Sequence, residues 1–350
     1  MRRNRLGTTD LTVSALCLGT MTFGEQNSEA DGHAQLDYAL DHGIDFVDTA
    51  EMYPIPPRPE TQGRTEEIIG SWFAARGNRS RVVLATKVNG RSASTWLRDD
   101  RSPTRLIRAQ VDEAVAKSLK RLRTDWIDLY QVHWPERAVS HFGSNPVIWS
   151  NPTPDPDEVP IEETLDALAA HVKAGRIRHI GLSNETSWGT MRWLRAAEIA
   201  EAPRVVSIQN AYSLINRTFE INLAELSSRE SVGLLAYSPL AQGTLTGKYR
   251  GGARPPGSRK ALFDRLQRYE KVNTAEAVEA YVALAAELGI DPATLAIAFV
   301  ASRPFVTATI LGATTLDQLK VDVAAIDFTI TPEIAARLDA IHLRYPNPAP

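Results

Sequence analysis

VVLATKVNGRSASTWLRDDRSPTRLIRAQVDEAVAKSLKRLRTDWIDLYQVH, residues 82–133, carries the unit from which the fold is read. It opens on a β-branched apolar run, VVLATK (82–87), and closes on another, WIDLYQVH (126–133). Between them Leu106, Ile107, Val111, Ala114, Val115, Leu119 and Leu122 fall at helical spacing. Ser102 is the expected cap and Pro103 suits the first turn. The apolar runs do not alternate strictly, which predicts strands buried on both faces and therefore a parallel sheet.

The unit recurs along the chain. Six further runs stand before or after it: LCLG (16–19), IDFVD (44–48), IRHIGLS (177–183), VVSIQN (205–210), VGLLAYS (232–238) and TATILG (307–312). Glycines in ALDHGIDFVD, HVKAGRIRHIG and ESVGLLAYS are expected as helix C-caps just before the next strand. Eight β/α repeats predict an α/β chain folded as a (β/α)8 TIM barrel, read as one domain over residues 1–350. The first 14 residues predict a hairpin turning on GTTD. An open doubly wound sheet is the competitor, and its G-x-G-x-x-G fingerprint is absent. Long loops follow the second run (49–63), the fourth (134–160) and the seventh (241–273), on the face where barrels build their sites. The 134–160 loop, with Trp134, Phe142 and Trp149, reads as a lid.

Composition narrows the function. The formal charge of −3 gives no electrostatic footprint for nucleic acid or an anionic membrane. Cys17 is the only cysteine, so no intrachain disulfide forms. The basic N-terminus alternates apolar and polar residues, as a strand does and a signal segment does not. No apolar run reaches the roughly 18 residues of a membrane span. A cytoplasmic enzyme or soluble binding protein is expected. The seven histidines are scattered with no H-x-H pair, so no metal site is expected.

Three successive runs finish in ionisable residues: Asp48, Lys87 and His133. Parallel barrel strands finish at one rim, so these side chains should converge, and Tyr53 on the next loop should lean into the same place. The set has a chemical logic. An ammonium beside a phenol favours phenolate and lowers its pKa from about 10. A carboxylate beside the ammonium keeps the lysine charged, and histidine orients a substrate oxygen. Together they form a proton-donating centre aimed at a carbonyl. Pro54, Pro56, Pro57 and Pro59 are expected to brace the chain after Tyr53. Glu51 is read as facing solvent or another loop residue.

The stretches LGTMTFGEQNSEADGHAQLDYAL, DTAEMYPIPPRPETQG, LYQVHWPER, IGLSNET, LLAYSPLAQGTLTGKY and TILGATTLDQLK resemble the aldo-keto reductases along nearly the whole chain. Within them the chain looks most like the bacterial Tas-like branch and is more distantly similar to the β subunits of voltage-gated potassium channels. The resemblance implies NADPH-dependent reduction of aldehyde and ketone carbonyls, with Tyr53 as general acid and Asp48, Lys87 and His133 in support. The channel subunits carry Asn at the place of His133, so His133 favours turnover over a purely regulatory role.

The resemblance also implies the cofactor contacts. Ser183, Asn184 and Gln209 hold the carboxamide, Tyr237 stacks on the nicotinamide, and Ser238, Pro239, Leu240, Gln242 and Gly243 line the pyrophosphate path. Gly19, Thr20, Met21 and Gly312 complete the lining. GTLTGKY (243–249) misses the P-loop pattern in spacing and in Tyr249, so Lys248 reads as a cationic clamp, with Arg259 on the same loop. Thr314-x-x-Asp317 reads as a capping box. Thr314 and Gln318 match contacts to the adenosine end, and Asp322 can accept from the adenine amino group. Many relatives carry Arg at Gln318 and Asn at Asp322. NADPH/NADP+ is expected over NADH. The substrate pocket is framed by Met21, Tyr53, Trp134 and the 134–160 loop. Its apolar and aromatic lining with little anion-binding charge suggests medium-sized carbonyls. Oligomeric state is not readable.

Overall fold

The computed structural model describes residues 1–140 and 155–350. Phe142 and Trp149 of the expected lid lie outside the described residues. All eight apolar runs are strands. The chain opens with a hairpin, β1 (Arg3–Arg5) antiparallel to β2 (Thr12–Ser14). The barrel then runs β3 (Leu16–Gly19), β4 (Phe46–Asp48), β5 (Val83–Val88), β6 (Ile127–Val132), β7 (Ile177–Ser183), β8 (Val205–Ala211), β9 (Gly233–Tyr237) and β10 (Val306–Leu311). Each strand pairs in parallel with the next, and β10 closes the ring on β3.

Helices α1 (Glu29–Asp41), α2 (Arg64–Arg76), α3 (Arg108–Leu122), α4 (Ile161–Lys173), α5 (Ser187–Ile199) and α6 (Leu223–Glu230) make the crossovers as far as β9. After β9 the chain forms the short α7 (Arg259–Phe263), then α8 (Thr274–Glu287) and α9 (Pro292–Ala301); α10 (Leu316–Ala324) and α11 (Pro332–Arg344) follow β10. Among the described residues no single helix is long and apolar enough to cross a membrane.

Two apolar layers sort by the period-two alternation of strands. Cys17, Phe46, Ala85, Leu129, Leu235, Ala308 and Ile310 fill the barrel, and Leu6 and Val13 of the hairpin pack against them. The opposite faces, with Leu18, Val47, Leu84, Tyr130 and Ile180, meet the helices. The alternation also places the polar residues. Asp48 lies two beyond Phe46, Lys87 two beyond Ala85, Gln131 and His133 two and four beyond Leu129, and Tyr237 two beyond Leu235. Each therefore continues an inward-facing row past the apolar plug toward the C-terminal rim.

Three expected boundaries move. Helix α3 starts at Arg108 with Ile107 as N-cap, because Thr104 bridges Ser92 and keeps the chain extended there. Ser102 instead accepts from Gln110 Nε2 at 3.0 Å. Helix α6 is ended by Ser231 in the left-handed region (φ 54°), not by Gly233, which is already in β9. Helix α10 is capped by Thr315, one residue after Thr314, and Gln318 reaches back to the Thr314 amide at 3.0 Å.

Gly90, just after β5, touches the loop after β6. A Cβ there would sit 2.1 Å from the Trp134 carbonyl oxygen and 2.5 Å from its indole Cδ1. Gly90→Ala should lower stability by about 1–3 kcal/mol, the cost of overpacking. An unchanged urea midpoint would show that the two loops yield freely.

Candidate active site

The inward rows end in one polar cluster. Lys87 Nζ donates to Asp48 Oδ2 and to the Thr49 carbonyl, each at 2.6 Å, and Lys87 is wholly buried. Asp48 Oδ1 accepts from Gln131 Nε2 at 3.0 Å and Gln209 Nε2 at 2.8 Å. In the ladder Asp48 is level with Gly19 and Ala85, and Lys87, two residues further along β5, is level with Gln131, so Lys87 reaches back to Asp48 from one step nearer the rim. Sequence reading missed Gln131, although its place between Leu129 and His133 in an inward row marks it.

Tyr53 lies over this pair, with Lys87 Nζ 5.0 Å from its ring centroid. His133, one residue beyond β6, presents its ring edge-to-face to Tyr53 at 5.8 Å. The Tyr53 amide donates to the Ala50 carbonyl, its own carbonyl accepts from the Gly63 amide at 2.9 Å, and the Ile55 amide donates to the Met21 carbonyl at 2.9 Å. The proline-rich loop is thus tied at both of its ends and at its middle.

The charge balance differs from the expected one. Burial raises the Tyr53 phenol above its ordinary pKa, and the opposing pull of Lys87 does not overcome it. For Lys87, burial disfavours the charge, but Asp48 and Tyr53 together outweigh it and hold the ammonium above its usual value. The phenol is therefore held protonated beside a firmly charged ammonium.

Glu51 does not face solvent; of the two expected alternatives it meets another loop residue. It is wholly buried, accepts the Asn89 amide at 2.8 Å, and takes a two-pronged ion pair from the equally buried Arg98 at 2.8 and 2.9 Å. Arg98 lies 47 residues away in a loop, so local sequence gave no sign of it. A parallel pair, Arg121 with Glu66 at 2.7 Å, lies under α2 and α3. These charges anchor the Tyr53 loop from behind.

A cleft of about 930 Å³ runs from this cluster along the rim. It is lined at one end by Met21, Asp48, Tyr53, His133 and Trp134, and in the middle by Gly19, Thr20, Ser183, Asn184, Gln209, Tyr237, Ser238, Pro239, Leu240, Gln242, Gly243 and Gly312. Lys248, Arg259, Thr314, Gln318 and Asp322 also line it. Lys87 does not reach the surface of the cleft and acts from beneath. Asn184, Ser238 and Gln242 hold positive φ, a strained backbone for side-chain-bearing residues gathered along one cleft. Gly243 is called for by its backbone, at φ 89° in the left-handed region; a Cβ there would meet only the flexible end of Lys248.

The donor set fits a phosphorylated dinucleotide. Lys248, Arg259 and Arg265 line the cleft and make no ion pair among the described residues. Burial lowers the pKa of Lys248, with Arg259 adding to it, and burial lowers that of Arg259, with Arg265 adding to it. Clustered cations without carboxylate partners suit an anionic ligand. Asp322 adds the opposite feature. Burial, then Asp291, pushes its carboxyl up to about 7. Arg265, Arg268, Asp291 and Met52 were not singled out in the sequence, because a long loop's composition does not say which side chains turn inward. No group of three or more His, Cys, Asp or Glu among the described residues is placed to hold a metal ion.

A closed parallel barrel with a polar cluster and an anion-seeking cleft at its C-terminal rim defines a (β/α)8-barrel of the enzyme type. The chain belongs to the Aldo/keto reductase family, whose sequence profile matches residues 15–343, and is thereby an oxidoreductase. It is 51% identical over 352 residues to Protein tas of Escherichia coli K12, covering 100% of both chains. It is 34% identical to the uncharacterized oxidoreductase YrpG of Bacillus subtilis, covering 99% of this chain and 97% of that one. A probable voltage-gated potassium channel subunit beta of Oryza sativa is 32% identical, over 97% of this chain and 96% of its own length.

Two outcomes are expected. Glu51→Ala leaves Arg98 buried without its partner and should cost about 3–5 kcal/mol in urea unfolding, whereas replacing both by Met should recover much of it. Asp322 binds more protons folded than unfolded between about pH 4 and 7, so its contribution is present at low pH and lost as pH rises. Asp322→Asn should raise the urea midpoint over wild type at about pH 8 and leave it nearly unchanged at about pH 4.

Proposed function

We propose that the protein is an NADPH-dependent reductase of aldehyde and ketone carbonyls, acting as one barrel domain in the cytoplasm. The observation that carries this reading is the protonated Tyr53 phenol over the buried Lys87–Asp48 pair, at the end of a cation-lined cleft.

The nicotinamide supplies a hydride to the carbonyl carbon when bound. Tyr53 donates its proton to the carbonyl oxygen. Lys87 stabilises the phenolate left behind, and Asp48 keeps Lys87 charged in a site that burial would otherwise neutralise. Gln131 and Gln209 hold Asp48 by both amides, so its carboxylate cannot turn away from Lys87. His133 faces Tyr53 and orients the same substrate oxygen. Tyr237, at the end of β9, with Ser183 and Asn184 at the end of β7, would hold the nicotinamide end of the cofactor. Gln209 Nε2 is committed to Asp48, so its amide oxygen is the atom it offers there. Lys248, Arg259 and Arg265 take the phosphates. Thr314 and Gln318, at the start of α10, favour a 2′-phosphate near free helix amides. That supports NADPH over NADH.

Tyr53→Phe removes the proton but not the cleft. It should lower kcat for aldehyde reduction by about 10²–10⁴ while the NADPH Kd moves less than about threefold. Undiminished turnover in this variant would overturn the assignment of the acid. Tight NADPH binding by wild type with no carbonyl reduced would instead favour a regulatory subunit.

A further inference from the structure

Arg268 is a cation of the cleft that the cofactor reading does not use. Its guanidinium carbon lies 5.3 Å from the centroid of the Tyr237 ring and 5.6 Å from that of Tyr269. Its Nη2 donates to the Tyr237 hydroxyl at 3.2 Å. That hydroxyl donates to Asn184 Oδ1 at 2.7 Å, and Asn184 Nδ2 donates to the His133 carbonyl at 2.9 Å. Three hydrogen bonds therefore lead from Arg268 to the backbone of the residue that faces Tyr53. Lys248, Arg259 and Arg265 repel one another through Arg259, whereas Arg268 lies against the neutral rings of Tyr237 and Tyr269.

Arg268 is also incompletely satisfied. It makes no ion pair with a carboxylate among the described residues, and its Nε is buried with no acceptor there. Arg268 is half-buried against the two rings, and its planar fork, with an Nε that has no acceptor among the described residues, is shaped for a carboxylate. A phosphate dianion, with three oxygens and a larger charge, would need more donors than this position supplies. The same cleft is lined by the apolar and aromatic Met21, Tyr53 and Trp134.

We propose that Arg268 is a carboxylate-binding subsite of the substrate pocket, and that the substrates are aldehydes or ketones bearing a carboxylate. This rests on the carbonyl-reductase reading and replaces the expectation of a pocket with little anion-binding charge. The carboxylate docks on the Nε side of Arg268, which directs the carbonyl toward Tyr53 and His133.

The test compares 4-carboxybenzaldehyde with benzaldehyde, and succinic semialdehyde with butanal, in the full chain and its Arg268→Met, Arg268→Lys and Arg259→Met variants. Wild type should favour the carboxylate member of each pair in kcat/KM by at least about tenfold. Arg268→Met should reduce that ratio to about one, Arg268→Lys should keep part of it, and the NADPH Kd should shift less than about threefold in both. Arg259→Met should do the reverse, weakening NADPH and leaving the ratio. No preference in wild type overturns the proposal. So does an Arg268→Met variant that loses NADPH affinity with its ratio intact, since the guanidinium would then serve the dinucleotide. Urea midpoints identify a misfolded variant, for which Arg268→Lys decides. If wild type turns over none of the four, the reductase reading fails, and calorimetric binding of 4-(hydroxymethyl)benzoate against benzyl alcohol to the NADP+ complex judges the subsite alone. Binding of the acid by wild type and not by Arg268→Met upholds it, and equal binding of the two probes overturns it.

Discussion

The ion pair between Asp48 and Lys87 is the constraint around which the rest of the molecule is arranged. Two opposite charges removed from water cost several kcal/mol each before their attraction is counted. Here the cost is offset by a complete set of partners: the Thr49 carbonyl for Lys87, and the Gln131 and Gln209 amides for Asp48. The pair and those partners come from four strands or their ends, so the pair is affordable only inside a closed ring in register. The apolar plug below it removes water from one side, and the cleft admits ligand from the other.

A second layer of charge stands behind the first. Glu51 and Arg98 fix the loop that carries Tyr53, and Glu66 and Arg121 fix the helix that follows it. Burial raises the Tyr53 phenol, and a rigid support keeps it over Lys87 where the ammonium can stabilise its anion. Position and protonation are thus set by different groups. The backbone bonds of the proline-rich loop and the Glu51–Arg98 pair hold the ring in place, while burial and Lys87 act on its proton.

Much of this was legible in the sequence, and the physical reason is periodicity. Strands with unbroken apolar character, separated by helical spacing, are enough to define a parallel barrel, and all eight runs form strands. Asp48, Lys87 and His133 could be found because strand ends share a rim. Gln131 was legible in the same alternation but was passed over as a mid-strand residue. For Glu51 a loop partner was one of two readings, but neither its burial nor the partner's identity was legible. Its environment is made by Arg98, which nothing nearby in sequence indicates. The cap of α10 shifted through the Thr315 and Gln318 side-chain bonds, the start of α3 through the bridge of Thr104 to Ser92, and the end of α6 because Ser231 itself takes the left-handed conformation. Arg268 lies in a loop without periodicity, where inward and outward side chains look alike in sequence.

The inward rows have a consequence for how this chain tolerates change in length. Because Phe46 and Asp48, or Ala85 and Lys87, share a face by being two residues apart, one inserted or deleted residue within a strand turns the carboxylate or the ammonium out among the helices. Insertions and deletions are therefore barred from the short stretch between plug and rim. The segments after His133 and Trp134 and after β9 carry no such parity and can lengthen or shorten while Asp48, Lys87 and Tyr53 stay in place, whereas the one after β4 is held in length by the bonds that seat Tyr53. Descent with indels would thus diversify what enters the cleft long before it altered what happens there.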